Sequence, residues 1–347
     1  MRKRILFAVL DWGLGHATRS AAVAECLTAQ GAEVIFFSWG KSLQYLRHRF
    51  PAHEVRALPL PEVSYGRSSA SPALYRQALR QIGQNKAVHR YIKDAVEKLQ
   101  PDAVVSDNVY GAQARHIHSV LITHQLSLPV PAFSGAVNRV LTGWLNRFSE
   151  IWVPDREDGI AGSLSTNRHF TGKVHHLGNL SRLSRPDPLP EKIYTCTAVI
   201  SGPEPLRSSF EQEALRRLKT LSGKKALIRG VQAVDGDNFL EREEIEVVNF
   251  ADGEVLSELI SASEYVICRA GFSTLSDLVR LGAKALIVPT PGQYEQEYLA
   301  DRAEQKGWFT AARALPDKLP QPENLPQPPA EGDVQLREVA ENFLGKL

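Results

Sequence analysis

Three cysteines in 347 residues, Cys26, Cys196 and Cys268, lie too far apart for any metal-ligand spacing. They read as reduced thiols of a cytosolic protein, not as a disulfide framework. Net charge is just as scarce. With 41 Lys and Arg against 39 Asp and Glu, the balance is +2 at pH 7, too little to argue for a nucleic-acid partner. No stretch is long and uncharged enough to span a bilayer. Met1-Arg2-Lys3-Arg4 imitates the start of a signal peptide, but the apolar run stops at Asp11, short of an h-region with its cleavage site. No internal repeat of short period is present. The expected location is cytoplasmic. What is there, 43% hydrophobic and 23% charged, is the composition of a globular protein. The length suits two domains, each with its own core.

The first informative run is Leu10-Asp11-Trp12-Gly13-Leu14-Gly15-His16-Ala17-Thr18-Arg19-Ser20. It follows an apolar strand, Arg4 to Val9, and precedes a helical segment ending near Gln30-Gly31. Gly13 and Gly15 let the backbone come close to a ligand. The helix start offers unpaired N–H groups and partial positive charge, which lowers the pKa of His16 and leaves a neutral imidazole able to take a proton. The arrangement suggests a sugar or phosphate site with a built-in base. The plainer reading is a tight connection with a histidine at a helix start. A dinucleotide site is disfavoured: position 18 is Thr18 where a third glycine is wanted, and the second strand ends in Ser38-Trp39-Gly40, not an acid.

Strands and helices alternate through the first half, with a Pro- and Ser-rich loop at 59–72 and a long helix at about 73–99. Further strands are predicted at 103–106, 119–123 and 150–153. Such alternation predicts a doubly wound, mostly parallel sheet with ligands at the carboxyl ends of the strands. Asp11, His16, Asp107-Asn108 and His124-Gln125 all follow a predicted strand and should share one rim. A composition change at 178–191 reads as a linker. A second series has strands near 196–200, 225–229, 245–249, 265–268 and 285–288. The expected division is residues 1–178 as an N-terminal Rossmann-like domain, 179–192 as linker and 193–314 as a second, C-terminal Rossmann-like domain. Residues 315–347 complete it as a proline-rich tail, with a terminal helix free to pack on either domain.

The second constellation is Cys268-Arg269-Ala270-Gly271-Phe272-Ser273-Thr274-Leu275-Ser276-Asp277. Gly271 supplies the turn and Ser273 reads as the helix N-cap. The N–H groups of Phe272, Ser273 and Thr274 could hold a diphosphate without a metal. Asp277, one turn on, could accept from both ribose hydroxyls. Pro289-Thr290-Pro291-Gly292 then opens a helix bearing Gln296 and Glu297, an amide and a carboxylate suited to sugar hydroxyls. Each feature alone is an ordinary capped helix start. Three within 35 residues favour a nucleotide-sugar site.

These residues resemble the glycosyltransferases of the two-Rossmann-domain (GT-B) type, family 28. In particular they resemble the family of the N-acetylglucosaminyltransferase that completes lipid II, and an uncharacterised branch of it. The resemblance covers most of the chain. It is strongest at Gly13–Ser20, Gly178–Arg182 and Cys268–Asp301, and it implies an α/β GT-B fold with an interdomain cleft. His16 then falls on the base near the acceptor, and Arg182 on an arginine that approaches the diphosphate. Asp277 takes the place of a ribose-binding glutamate, and Gln296-Glu297 that of a glutamine pair near the donor sugar. The family's glycine-rich phosphate turn is here Ser201-Gly202-Pro203-Glu204-Pro205. Two prolines remove two donors and Glu204 adds negative charge, with Arg207 nearby to compensate.

The implied reaction moves a hexosyl group from a UDP-sugar, UDP-N-acetylglucosamine in the family, to an acceptor hydroxyl by inverting displacement. His16 is the base and Asp107 orients it. Helix N-termini, Arg182 and the turns at Ser201, Gly202, Arg269 and Gly271 hold the donor. Gly13, Gly15, Asn108, His124 and Gln125 line the acceptor side. No cofactor is expected, and Asp235-Gly236-Asp237 reads as a turn and not a metal site. The acceptor is left open among a polysaccharide, a lipid-linked sugar and a small molecule. Two alternatives stand beside this: a nucleotide-sugar hydrolase in which His16 activates water, and a non-catalytic sugar-nucleotide binder. The helical spacing at 131–150 fits packing on the first sheet. Its second reading is a surface that touches lipid, placing the protein at the inner face of the membrane.

Overall fold

The computed structural model describes residues 2–11, 14–60, 71–129, 134–202, 204–231, 239–242, 244–332 and 335–347. The chain forms two compact units, Met1–Leu180 together with Asp333–Leu347, and Ser181–Gly332. The division falls after Leu180, and the terminal segment from Asp333 belongs to the first unit.

The first unit runs β1 (Arg4–Val9), α1 (Leu14–Ala29), β2 (Glu33–Ser38), α2 (Gly40–Arg49), β3 (Val55–Ala57), α3 (Ser71–Leu99), β4 (Ala103–Asp107), β5 (His118–Ile122), α4 (Ser134–Leu145), β6 (Glu150–Val153) and β7 (Lys173–His176). The sheet order is β3-β2-β1-β4-β5-β6-β7, with parallel pairing throughout. Both faces of its central strands are apolar, and the period of two sorts them. Ile5, Phe7, Val9, Phe36 and Val105 pack with Ala17, Ala21, Ala24 and Leu27 of α1. Leu6, Ala8, Phe37 and Val104 pack with Val88, Ile92 and Ala95 of α3. Near-continuous apolar runs are what a sheet covered on both sides requires. In α4, Leu141, Leu145 and Phe148 just beyond it are buried against Leu121, Ile151 and Val153, the packing expected from its spacing. Its outer face exposes Val137, Arg139 and Val140.

The second unit runs β8 (Tyr194–Val199), α5 (Leu206–Leu218), β9 (Lys225–Ile228), β10 (Phe239–Arg242), β11 (Ile245–Val248), α6 (Gly253–Ser261), β12 (Ser263–Cys268), α7 (Phe272–Leu281), β13 (Ala285–Ile287), α8 (Tyr294–Gln305) and β14 (Thr310–Ala311). Its order is β10-β11-β9-β8-β12-β13-β14, parallel except for the β10–β11 pair. Phe210, Ala214 and Leu218 of α5 cover Ala198, Leu227, Ile267 and Leu286, and Leu315, Leu319 and Leu325 of the proline-rich segment close the same core. Cys196 and Cys268 sit inside the sheet. Burial pushes both thiols up, that of Cys268 to about 12, so neither is a reactive thiolate.

The terminal helix, α9 (Leu336–Lys346), returns to the first unit. Leu336, Ala340 and Phe343 join the core beneath α1. The Phe343 ring meets Trp152 edge-on at 5.1 Å, and Lys346 Nζ donates to the buried Glu150 carboxylate at 2.8 Å. Phe343→Ala should therefore cost the first unit about 3 kcal/mol, read as an earlier urea midpoint of its unfolding transition. Among the described residues no helix is long and apolar enough to cross a membrane.

Candidate active site

In an open parallel sheet, the loops on either side of the point where strand order reverses splay apart and leave a crevice. In the first unit that point lies between β1 and β4, where Val9 pairs with Asp107. The β1–α1 turn carries His16 in the first turn of α1, and β4 ends on Asp107. Their side chains meet: His16 Nδ1 lies 2.8 Å from Asp107 Oδ1.

The Asp107 carboxylate is fully buried and densely served. Arg19 Nε donates to Oδ2 at 2.7 Å, Arg19 Nη2 donates to Oδ1, and Ser20 Oγ donates to Oδ2 at 2.9 Å. His16, Arg19 and Ser20 stand at i, i+3 and i+4 and thus on one face of α1. Burial works against the charged form of Asp107. The Arg19 and His16 charges and hydrogen bonds outweigh it and hold the carboxyl well below the usual range. The imidazole goes the other way from a simple ion pair. Burial, then the Arg19 charge, lower its pKa, against the pull of Asp107. His16 is thus held neutral at neutral pH, and its side chain keeps 15% of its exposure. Nδ1 is the ring nitrogen that faces Asp107.

His124, buried just past β5, is close enough to His16 to lower its pKa further. It also acts on Asp155, whose pKa burial pushes up to about 6 against the N–H groups of Ala161 and Arg156. Asn108 sits beside Asp107 with φ 54° and donates its backbone N–H to Ile122. Gln125 is half-buried, its N–H on Thr123 Oγ1. Gly15 accepts from Thr18 Oγ1. Asp11 serves the fold: Oδ1 takes the Ser42 N–H at the start of α2, and Gly40 lies so close at φ 54° that no side chain fits there. Gly13 lies outside the described residues, as does Asp235-Gly236-Asp237.

The second unit repeats the design between β8 and β12. The N-cap of α7 is Gly271, with no side-chain cap. This corrects the assignment of Ser273, which is the second helical residue; Phe272, Ser273 and Thr274 form the first turn. Gly271 has φ −77°, open to any residue, and an added Cβ would meet nothing nearer than Thr274 Oγ1 at 3.9 Å. Neither strain nor packing asks for glycine here. Glycine at the N-cap places no side chain over the start of α7.

Several other expected donor groups are engaged within the unit. Asp277 accepts from Ser181 Oγ at 2.6 Å and from Arg182 Nε at 3.3 Å. Burial raises its pKa and those two residues pull it back. Arg182 is 26% exposed and meets Asp277 through Nε. Gln296 Oε1 accepts from Thr290 N and Glu297 from Gly292 N, so both brace the loop before α8. Arg269 is buried, stacked at 4.0 Å on Phe210 and donating to Pro289 O at 3.0 Å. Past Ser201 and Gly202 (φ 109°), Glu204 accepts the Ser208 N–H at the α5 start. Arg207 bridges Glu204, Glu211 and Arg229 O. A carboxylate of the chain itself thus occupies the α5 start, and Arg207 is not available to compensate for the missing glycines. Sequence reasoning passed over Arg19, Ser20 and Ser181. The spacing from His16 was a usable signal for the first two.

Two doubly wound units, each carrying polar groups at its switch point, define a protein of the GT-B class. Residues 3–132 match the model for glycosyl transferase family 1, and residues 207–328 match that for the glycosyltransferase family 28 C-terminal domain. An uncharacterised glycosyltransferase of Methanosarcina acetivorans is 24% identical, covering 88% of this chain and 82% of its own. The UDP-N-acetylglucosamine–N-acetylmuramyl-(pentapeptide) pyrophosphoryl-undecaprenol N-acetylglucosamine transferase of Methylobacterium sp. (strain 4-46) is 25% identical over 83% and 77% of the two chains. The glycosyltransferase SnogD from Streptomyces nogalater, 16% identical, shares the fold over 100% of this chain and 95% of its own at a TM-score of 0.63. The chain belongs to the GT-B glycosyltransferases, with a C-terminal domain of the family 28 type.

Proposed function

We propose that the chain transfers a hexosyl group from a UDP-sugar to an acceptor hydroxyl by inverting displacement, with His16 as general base. The observation that carries this is the His16–Asp107 pair: an imidazole held through Nδ1 at a switch point, its pKa lowered by burial. As the acceptor oxygen attacks the anomeric carbon, its proton passes to Nε2. The bond to the diphosphate breaks with its electron pair, and Asp107 stabilises the imidazolium that forms. The open N-terminus of α7 and the outer nitrogens of Arg182 would take up the charge growing on the diphosphate. The name of the Methylobacterium relative supports a UDP-sugar donor.

Addition of UDP or a UDP-sugar should raise the melting temperature of the protein, since a ligand bound by the folded state alone stabilises it. Gly271→Ala should leave the ligand-free protein within about 0.5 kcal/mol of wild type and weaken UDP roughly tenfold, or about 1.4 kcal/mol. If no nucleotide shifts the melt, the donor assignment fails. A hydrolase would release free sugar from the UDP-sugar alone at the rate seen with acceptor present. A pure binder would do neither.

A further inference from the structure

We infer that Arg19 is a positioning residue, setting which nitrogen of His16 carries the proton and the pH range in which the ring is a free base. The inference deepens the reading of His16 as base and rests on it. His16 Nδ1 lies 2.8 Å from both Asp107 Oδ1 and Arg19 Nη2. A ring nitrogen has one lone pair or one proton and serves one of them. Without a proton, Nδ1 would set its lone pair against an ionised carboxylate oxygen. With one, it donates to Oδ1, and Arg19 puts its own Nε–H and Nη2–H on the two oxygens of the same carboxylate. Nε2 is then the basic nitrogen.

The same geometry answers a difficulty in any histidine–carboxylate pair. A buried carboxylate alone draws a second proton onto its imidazole and ends its service as a base. Here the guanidinium neutralises the carboxylate, and Oδ1, which accepts from Arg19 Nη2, has a second lone pair with which to orient the ring. The charged and titratable groups facing His16 are Arg19 on α1, Asp107 at the end of β4 and His124 past β5. Two of the three oppose a cationic ring.

The test has two arms. In the first, nitrogen-15 NMR of the unliganded wild-type protein at neutral pH should show His16 neutral with its proton on Nδ1. A cationic ring, or a proton on Nε2 with Nδ1 accepting from Arg19, overturns the inference. This arm needs no substrate and no variant, so it decides even where donor and acceptor fail to react. In the second arm, Arg19→Gln should move the His16 titration, and the acid limb of kcat/KM with it, upward by about one pH unit or more. Activity should then return at alkaline pH, and Arg19→Lys, which keeps the charge, should hold the titration close to that of the wild type. A folded Arg19→Gln protein with an unmoved titration marks Arg19 as a structural residue only and also overturns the inference. A moved titration with no transfer under any condition would sink the transferase reading and leave this one standing.

Discussion

His16→Ala is expected to slow glycosyl transfer by a factor of about 10² to 10⁴, the range that a positioned general base contributes. Nucleotide binding should stay unchanged. The ring is held by Asp107 from the end of β4 and lies in the first unit, whereas the open helix N-terminus proposed for the diphosphate lies in the second. Losing the imidazole removes the proton acceptor and none of the groups proposed to hold the donor. The loss should therefore appear in kcat, with the UDP-dependent rise in melting temperature intact. Equal rates in His16→Ala and wild type would refute a base at this position. A lost UDP shift would instead make His16 a binding residue.

Asp107→Ala should be the most destabilising substitution in the first unit, by about 4 kcal/mol. The carboxylate is fully buried and takes hydrogen bonds from His16, Arg19 and Ser20, and Arg19 is itself 5% exposed. Removing it leaves a guanidinium buried without its counter-charge. The pH dependence has a definite sign. Folding lowers the Asp107 pKa, so its contribution is present above the ordinary carboxylate range and is withdrawn as pH falls through the lower folded value. Urea unfolding of the wild type from pH 7 downward should show that loss, and Asp107→Ala should show less of it. A variant as stable as wild type at pH 7 would mean that the network is held together without its acceptor.

The strands with apolar runs were legible because a strand covered on both faces must be apolar throughout. Arg4–Val9, Ala103–Asp107 and Glu150–Val153 announce themselves in this way. The strands that escaped notice, β3, β7, β10 and β14, are the four sheet edges. An edge strand is covered on one side only and can be short and polar, as Lys173-Val174-His175-His176 is. Its pairing is supplied by the neighbouring strand and leaves little trace in its own composition.

The candidate site divides along the same line. Gly15-His16 after one strand and Asp107 at the end of another could be placed on one rim, because strand ends in a parallel sheet share an edge. That Asp107 serves Arg19 and Ser20 along with His16 depends on how α1 is rotated over the sheet, which groups 87 to 91 positions apart in sequence do not encode locally. In the second unit the turn at Gly271 was visible. The pairing of Arg182 with Asp277, the closure of the α5 start by Glu204 and the stacking of Arg269 on Phe210 were not.

By itself the order of residues determined the alternation of strand and helix, the two glycine turns and the chemistry available at each, since these follow from apolar periodicity and residue type. Tertiary structure alone decided which polar groups face a ligand and which face one another. A buried charge must find its partner wherever packing delivers one, and packing is settled by the whole sheet, not by neighbours in sequence.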